Sequence, residues 1–275
     1  MIAIAMLATW YVLSPEALSL PAQHTHHAAV FGKGAFGFNK HVLEGIDKAQ
    51  QNAMLGGGYF IGVEAVPTES PIGYPLALKG ASLIDPPRTT SFCTGASYAA
   101  FIEALNLWLP QGRAYVDDTN RLPRTIPMTM SQDRIEALRM QEPDGSRRED
   151  NVKFWGYWNA DGFGNHFALV QYSGMGKRIA PSEARPGDFL NISWKSGLGH
   201  STVFLGWCLN KEGKRSVRFW SSQKGTNGMG DMVAPIDTIE SVCIVRINHP
   251  MRIYWFNPKQ SVDRKVSGDT IDWQP

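Results

Sequence analysis

The chain has 275 residues, 43% of them hydrophobic and 19% charged. That composition allows one large core and excludes an intrinsically disordered chain. A net charge of +2, with no basic cluster interleaved with aromatics, gives no case for a nucleic-acid binder.

Met1 to Leu13 is almost wholly apolar, and the first basic residue is Lys33. The run is too short to span a bilayer, and its length suits the hydrophobic part of a secretory signal. Small residues near Ala17-Leu18-Ser19 or Pro21-Ala22 offer cleavage sites. Residues 1–22 are therefore set apart as a signal or hydrophobic segment, which implies a periplasmic or secreted location. His24-Thr25-His26-His27 follows in a loop with no carboxylate nearby in sequence, so a solvated linker is expected rather than a metal grip. His41 to Leu55 has helical spacing, with Val42, Leu43, Ile46, Ala49, Ala53 and Met54 on or near one face. Gly56-Gly57-Gly58 ends it, and Tyr59 to Val63 reads as a short strand. Pro67 to Pro87 is rich in proline and glycine and reads as irregular.

A second helix is predicted from Cys93 to about Trp108. Tyr98, Phe101, Ile102, Leu105 and Trp108 recur at steps of three or four, Thr90 and Ser91 can cap the front, and Pro110 with Gly112 ends the run. A thiol in that first turn feels the positive end of the helix dipole, which favours the nucleophilic thiolate. Val116 to Met130 reads as loop, and Asp117-Asp118 as a solvated pair. Ser131 to Met140 reads as helix, and Gln141 to Asp150 as a charged turn. Phe154-Trp155-Gly156-Tyr157-Trp158 is either a core segment or a platform for a sugar or peptide. In the second case Trp155 and Trp158, with Tyr98, are the candidate substrate contacts. Gly164 to Ser173 is a further short helix carrying His166.

From Pro186 the pattern changes to strands: Phe189 to Ile192, Ser201 to Cys208, Ser216 to Ser222, Val242 to Ile247, and Arg252 to Phe256. Helices packed on one side of an antiparallel sheet make an α+β domain over residues 23–262, and the polar residues 263–275 are expected to fray. Of the three cysteines, Cys208 and Cys243 sit in apolar strands as buried thiols. Pairing between them is left open, and no zinc spacing occurs.

His200 starts the second of these strands. If the face bearing His200, Thr202 and Phe204 packs on the Cys93 helix, imidazole and thiol can meet as a base-activated nucleophile. Ser221 and Gln223, on a common face of the next strand, are both candidates to orient the ring.

The order Cys93-Thr94-Gly95, Pro186-Gly187-Asp188, Gly199-His200 and Phe219-Trp220-Ser221-Ser222-Gln223 resembles the papain-like NlpC-type cell-wall peptidases and amidases and their CHAP relatives. The resemblance covers roughly residues 90–225 and makes residues 113–176 an insertion or cap. It implies a papain-like fold and a cysteine hydrolase that cuts an amide bond in peptidoglycan peptides through an acyl-enzyme. Cys93 would be the nucleophile and His200 the base, with Ser221 or Gln223 as orienter, no metal or organic cofactor, and a monomeric chain without a stable membrane span. A papain-like acyltransferase or deamidase, or a non-catalytic wall-binding module, are the alternatives.

Overall fold

The second half of the chain forms a six-stranded antiparallel sheet, seen here in a computed structural model. The structure describes residues 10–275 apart from 55, 67–68, 70, 110–113, 117–122, 126–129, 141–153 and 264. The first nine residues, Asp117-Asp118 and the charged turn expected at 141–150 lie outside that set.

Along the chain come α1 (Pro15–Ser19), α2 (His27–Phe31), α3 (Asn39–Asn52) and a ribbon of β1 (Leu76–Leu78) with β2 (Ala81–Ile84). Then come α4 (Cys93–Trp108), a ribbon of β3 (Ala114–Val116) with β4 (Pro123–Thr125), and α5 (Gln132–Leu138). A short α6 (Gly164–His166) runs into a π turn at Phe167–Tyr172. The sheet strands are β5 (Gly176–Ile179), β6 (Phe189–Trp194), β7 (Gly199–Leu209), β8 (Arg215–Gln223), β9 (Gly228–Pro235) and β10 (Ile239–Ile247), in spatial order β5-β10-β6-β7-β8-β9.

The α+β expectation holds. Helix α4 is buried on every side from Cys93 to Leu105, as a helix sandwiched between another helix and a sheet must be. Helix α3 lies so close that a Cβ on Gly45 would stand 2.6 Å from Ala100 O, which only glycine permits. The Pro-Gly-Asp turn ties this layer to the sheet. The buried Asp188 carboxylate accepts from Asn39 Nδ2 at 2.8 Å and from Arg246 Nε and Nη2 at 2.8 and 2.7 Å.

The sheet is covered on both faces. The helical face holds Phe189, Val203, Leu205 and Trp220 against α3 and α4. The other holds Leu190, Ile192, Phe204, Phe219 and Ile244, and the ends of the chain cover it. Trp273, 1% exposed, stacks on Trp207 at 6.3 Å, and Asp269 bridges Val242. The C-terminal segment is therefore anchored through Trp273, not frayed. At the other end, Leu13 N donates to Trp207 O at 2.9 Å, and Leu13 and Ala17 are buried. Residues around Leu13 and Ala17 thus pack on the domain.

Two further expectations are corrected. Arg252 to Phe256 is not a strand: Pro250 fixes the first turn of a 3-10 helix over Pro250–Tyr254. Tyr59 makes a single bridge to Ser91, and Gly62–Glu64 is a 3-10 turn. Strand β9 carries no strand signal in the sequence, because Gly228 and Gly230 blank out the alternation that marks one. Among the described residues no helix is long and apolar enough to cross a membrane.

Candidate functional site

Phe92 is extended and Cys93 opens α4. Main-chain N–H groups of Ser201, Thr94 and Cys93 itself all act on its sulfur. The β7–β8 pairing stops at Val203 and Trp220, so Ser201 lies beyond its last paired residue. Ser201 O accepts from Ser221 Oγ at 2.7 Å, and Ser91 Oγ donates to Ser222 Oγ at 2.8 Å. The dipole argument predicted a lowered thiol pKa, but burial wins and pushes Cys93 up to about 11, aided by the nearby Asp161 carboxylate. Helix ends contribute only about 0.3–2 kcal/mol to a charge, less than the desolvation of a thiolate enclosed by protein.

His200 is close along β7 but faces the other way. It is the cross-strand partner of Ile192, and its ring packs edge-on to Phe219 at 5.5 Å and beside Trp194 at 6.3 Å. Ile192 and Phe219 belong to the core on the side away from α4. Ser201, the next residue, faces the helix and meets Ser97 Oγ at 2.7 Å. The side chains of β7 do alternate, but the face that packs on α4 is the one bearing Ser201, Val203 and Leu205. Cys93 and His200 are not in contact.

Of Ser221 and Gln223, it is Gln223 that acts on the His200 ring. The β7–β8 pairing stops at Val203 and Trp220, and Gln223 lies beyond it at the end of β8; its amide favours the protonated ring. Gln223 Nε2 donates to Gly230 O at 3.1 Å and Thr226 Oγ1 at 2.6 Å. A carbonyl can only accept, so Oε1 is the end left for the imidazole. Oε1 itself makes no hydrogen bond. Ser221 spends its proton on Ser201 O. Although the residue keeps some surface, desolvation of the ring outweighs the Gln223 bond and pushes His200 down to about 4, so it is a neutral base at pH 7.

Two proposed substrate contacts are core residues. Trp155 is fully buried, stacked on Phe101 at 5.6 Å, with Nε1 donating to Thr94 O at 3.0 Å. Tyr98 is likewise buried, its hydroxyl donating to Leu138 O. Neither can meet a substrate. The side chain of Trp158 lies outside the described residues. The segment read as an insertion thus supplies core: Trp155→Ala is expected to cost about 3–5 kcal/mol, measurable by urea unfolding, where a purely surface platform would cost almost nothing.

Polar side chains that the sequence gave no reason to connect surround the thiol. Thr94 O takes Trp155 Nε1, and Gly156 N donates to Asn159 Oδ1 at 2.9 Å. Asn159 O accepts Asn191 Nδ2 at 2.7 Å, and Asn191 Oδ1 accepts Asn165 N at 2.8 Å. Asn165 Oδ1 accepts Ser201 Oγ at 3.1 Å, and Ser201 meets Ser97, whose Oγ lies 3.1 Å from both Cys93 O and Thr94 O. The circuit closes on the first turn of α4. A cleft of about 270 Å³ opens beside it, lined by Asp161, Ser193, Trp194, Leu198, Gly199 and Glu240 among others.

A second buried constellation lies across the sheet edge. His24 and His27, expected in a solvated linker, are buried and stacked at 4.0 Å. The fold supplies the carboxylates the local sequence lacks. Asp231 Oδ1 is 2.9 Å from His27 Nε2, Asp231 Oδ2 is 3.1 Å from His24 Nε2, and Asp47 is 2.7 Å from His27 Nδ1. Among the described residues His24, His27 and Asp231 are the group whose spacing suits a metal, but the donors do not fit one. His26 N–H donates to His24 Nδ1 at 3.1 Å, which leaves the proton on the Nε2 that would have to ligate. Arg218 Nε and Nη2 already hold Asp231 Oδ2 at 2.8 and 2.6 Å. It is an ion-pair network binding the N-terminal segment to β8 and β9. Cys208 and Cys243 are buried and free.

Comparison with family models, curated proteins and solved structures finds no match to this chain.

Proposed function

We propose that the chain is a papain-like cysteine hydrolase that cleaves an amide bond, with bacterial cell-wall peptides as the substrate class, outside the cytoplasm and as a monomer. The observation that supports this most is local to β7. Ser201 faces the Cys93 helix and meets Ser97 Oγ at 2.7 Å, while the preceding residue is a neutral imidazole on which the Gln223 amide acts. His200 and Gln223 lie at neighbouring ends of β7 and β8, and the residue before His200, Gly199, lines the cleft with Asp161.

The arrangement is a resting one. For catalysis the imidazole has to come round the splayed end of β7 to take the thiol proton. The thiolate then attacks the carbonyl carbon, the C–N bond breaks as the amine takes that proton back, and water hydrolyses the acyl-enzyme.

Mass spectrometry of muropeptides after incubation tests the reading. Wild-type protein is expected to release new fragments and Cys93→Ala none. Gln223→Ala should lower kcat by roughly 10-fold or more, and Ser221→Ala by no more than about 2-fold, since only the first touches the ring. Release by Cys93→Ala would refute a thiol mechanism. Transfer of the acyl group to an added amine rather than to water would identify an acyltransferase.

The separation of Cys93 from His200 favours a second reading, a non-catalytic wall-binding module. It predicts sedimentation with insoluble peptidoglycan that survives Cys93→Ala, together with no fragment release by the wild type.

A further inference from the structure

The cleft of about 270 Å³ beside His200 is lined by Asp161, Ser193, Trp194, Leu198 and Glu240, together with Gly162, Gly197 and Gly199. The fold holds its walls in place. Trp194 N donates to Leu198 O and Gly197 N to Trp194 O, each at 2.9 Å, which closes the β6–β7 turn. The chain at 160–162 presses on that hairpin. A Cβ on Gly199 would stand 1.7 Å from Ala160 O, and one on Gly162 2.4 Å from Ser193 Oγ, so the approach requires glycine. Strand β10 carries an extra residue here: Ile239 pairs with Trp194 and Ser241 with Ser193, and Glu240 is bulged out between them. A bulge re-aims a side chain out of the ladder's alternation, and Glu240 lines the cleft.

This lining limits what a guest can be. It contains two carboxylates and no basic side chain, which disfavours an anionic group. An ionised carboxylate only accepts hydrogen bonds, so the guest has to bring donors. Apolar surface stands beside these acceptors: Trp194 is half-buried, and Leu198 is 69% exposed. A pyranose ring meets both demands, with hydroxyl donors around its rim and an apolar C–H face to lie on an indole. The polar groups come from three separate places, Asp161 from the 160–162 chain, Ser193 from β6 and Glu240 from β10. That spread suits donors arranged around a ring better than the single charge of an ammonium.

We infer that this cleft is a sugar-binding subsite, with Trp194 as its platform and Asp161 and Glu240 as hydroxyl acceptors, for the glycan to which cell-wall peptides are attached. This rests on the cell-wall reading above and adds to it where the polysaccharide lies. Trp155, the platform expected from the sequence, is core, whereas Trp194 lines a cleft. The Trp194 ring is 6.3 Å from the His200 ring, so a sugar seated on it would present its attached peptide beside His200.

Isothermal titration calorimetry on Cys93→Ala protein scores binding without turnover. The probes are tri-N-acetylchitotriose, which is neutral, and its deacetylated counterpart, which is cationic. The neutral trisaccharide is expected to bind. Trp194→Leu keeps apolar bulk against Phe219 but removes the aromatic face, and should weaken that binding about 10-fold. Trp194→Phe should stay within about 3-fold of Trp194, and Glu240→Gln should weaken binding about 5-fold.

Binding of the cationic sugar alone would make this a charge site and overturn the inference. Wild-type affinity for the neutral sugar in both Trp194→Leu and Glu240→Gln also overturns it. The Glu240 side chain is exposed, so its variant stays readable even where a Trp194 variant misfolds. Wild-type protein that binds the sugar yet releases no muropeptide fragment keeps the subsite and removes the hydrolase reading. Fragment release without sugar binding does the reverse.

Discussion

Asp231→Asn is expected to destabilise the protein by roughly 3–5 kcal/mol, the range for removing one partner from a buried charge cluster. Asp231 is 5% exposed and is the common acceptor for His24, His27 and Arg218. Burial alone would raise its pKa, but His27, His24 and Arg218 override this and hold the carboxyl well below the usual carboxylate range. Burial alone would lower the His27 pKa, but Asp231 and then Asp47 raise it to about 9. The cost of neutralising Asp231 falls on Arg218, whose Nη1 also holds Ala17 O, so the N-terminal segment should loosen first.

The same pair gives the pH dependence a definite sign. A histidine raised on folding contributes stability fully below its unfolded value of about 6.5 and loses it as pH climbs. For His27 the loss is complete somewhat above its folded value of about 9. A carboxylate lowered on folding contributes above its unfolded value and loses that as pH falls through about 4 and below. The network is therefore strongest between about pH 4 and 6.5. Urea unfolding of wild type and His27→Gln should show a stability gap at pH 5.5 that shrinks by up to about 3 kcal/mol at pH 9.5. A gap unchanged between those pH values would show that His27 is not held as a cation.

Cys93 is expected to be a slow thiol at neutral pH. With its pKa pushed up to about 11, the thiolate fraction at pH 7.5 is roughly 300-fold below that of a free cysteine at about 8.5. Alkylation by iodoacetamide, read by peptide mapping so that Cys208 and Cys243 are counted apart, should rise about 10-fold per pH unit through the mildly alkaline range. Labelling of Cys93 at pH 6–7 faster than free cysteine would show that a thiolate–imidazolium pair already exists in solution. A cell-wall peptide that accelerates labelling is the signature of the hydrolase reading. No acceleration by a peptide that binds is that of the binding module.

Local chemistry in the sequence determined much of this protein. Helical spacing and turn residues marked α3 and α4, and a period of two marked β6, β7, β8 and β10. The same reasoning put Cys93 on a helix start and His200 on a strand start, because each depends on neighbours a few residues away. Only the tertiary structure decided which face of β7 packs on α4, and a one-residue choice there sends Ser201, not His200, toward the thiol. It alone joined His24 and His27 to Asp231, more than two hundred positions on, turning an apparent linker into a buried ion network. It also made Trp155 and Tyr98 core instead of platform. Burial and long-range pairing depend on which surfaces meet, and no local pattern carries that information.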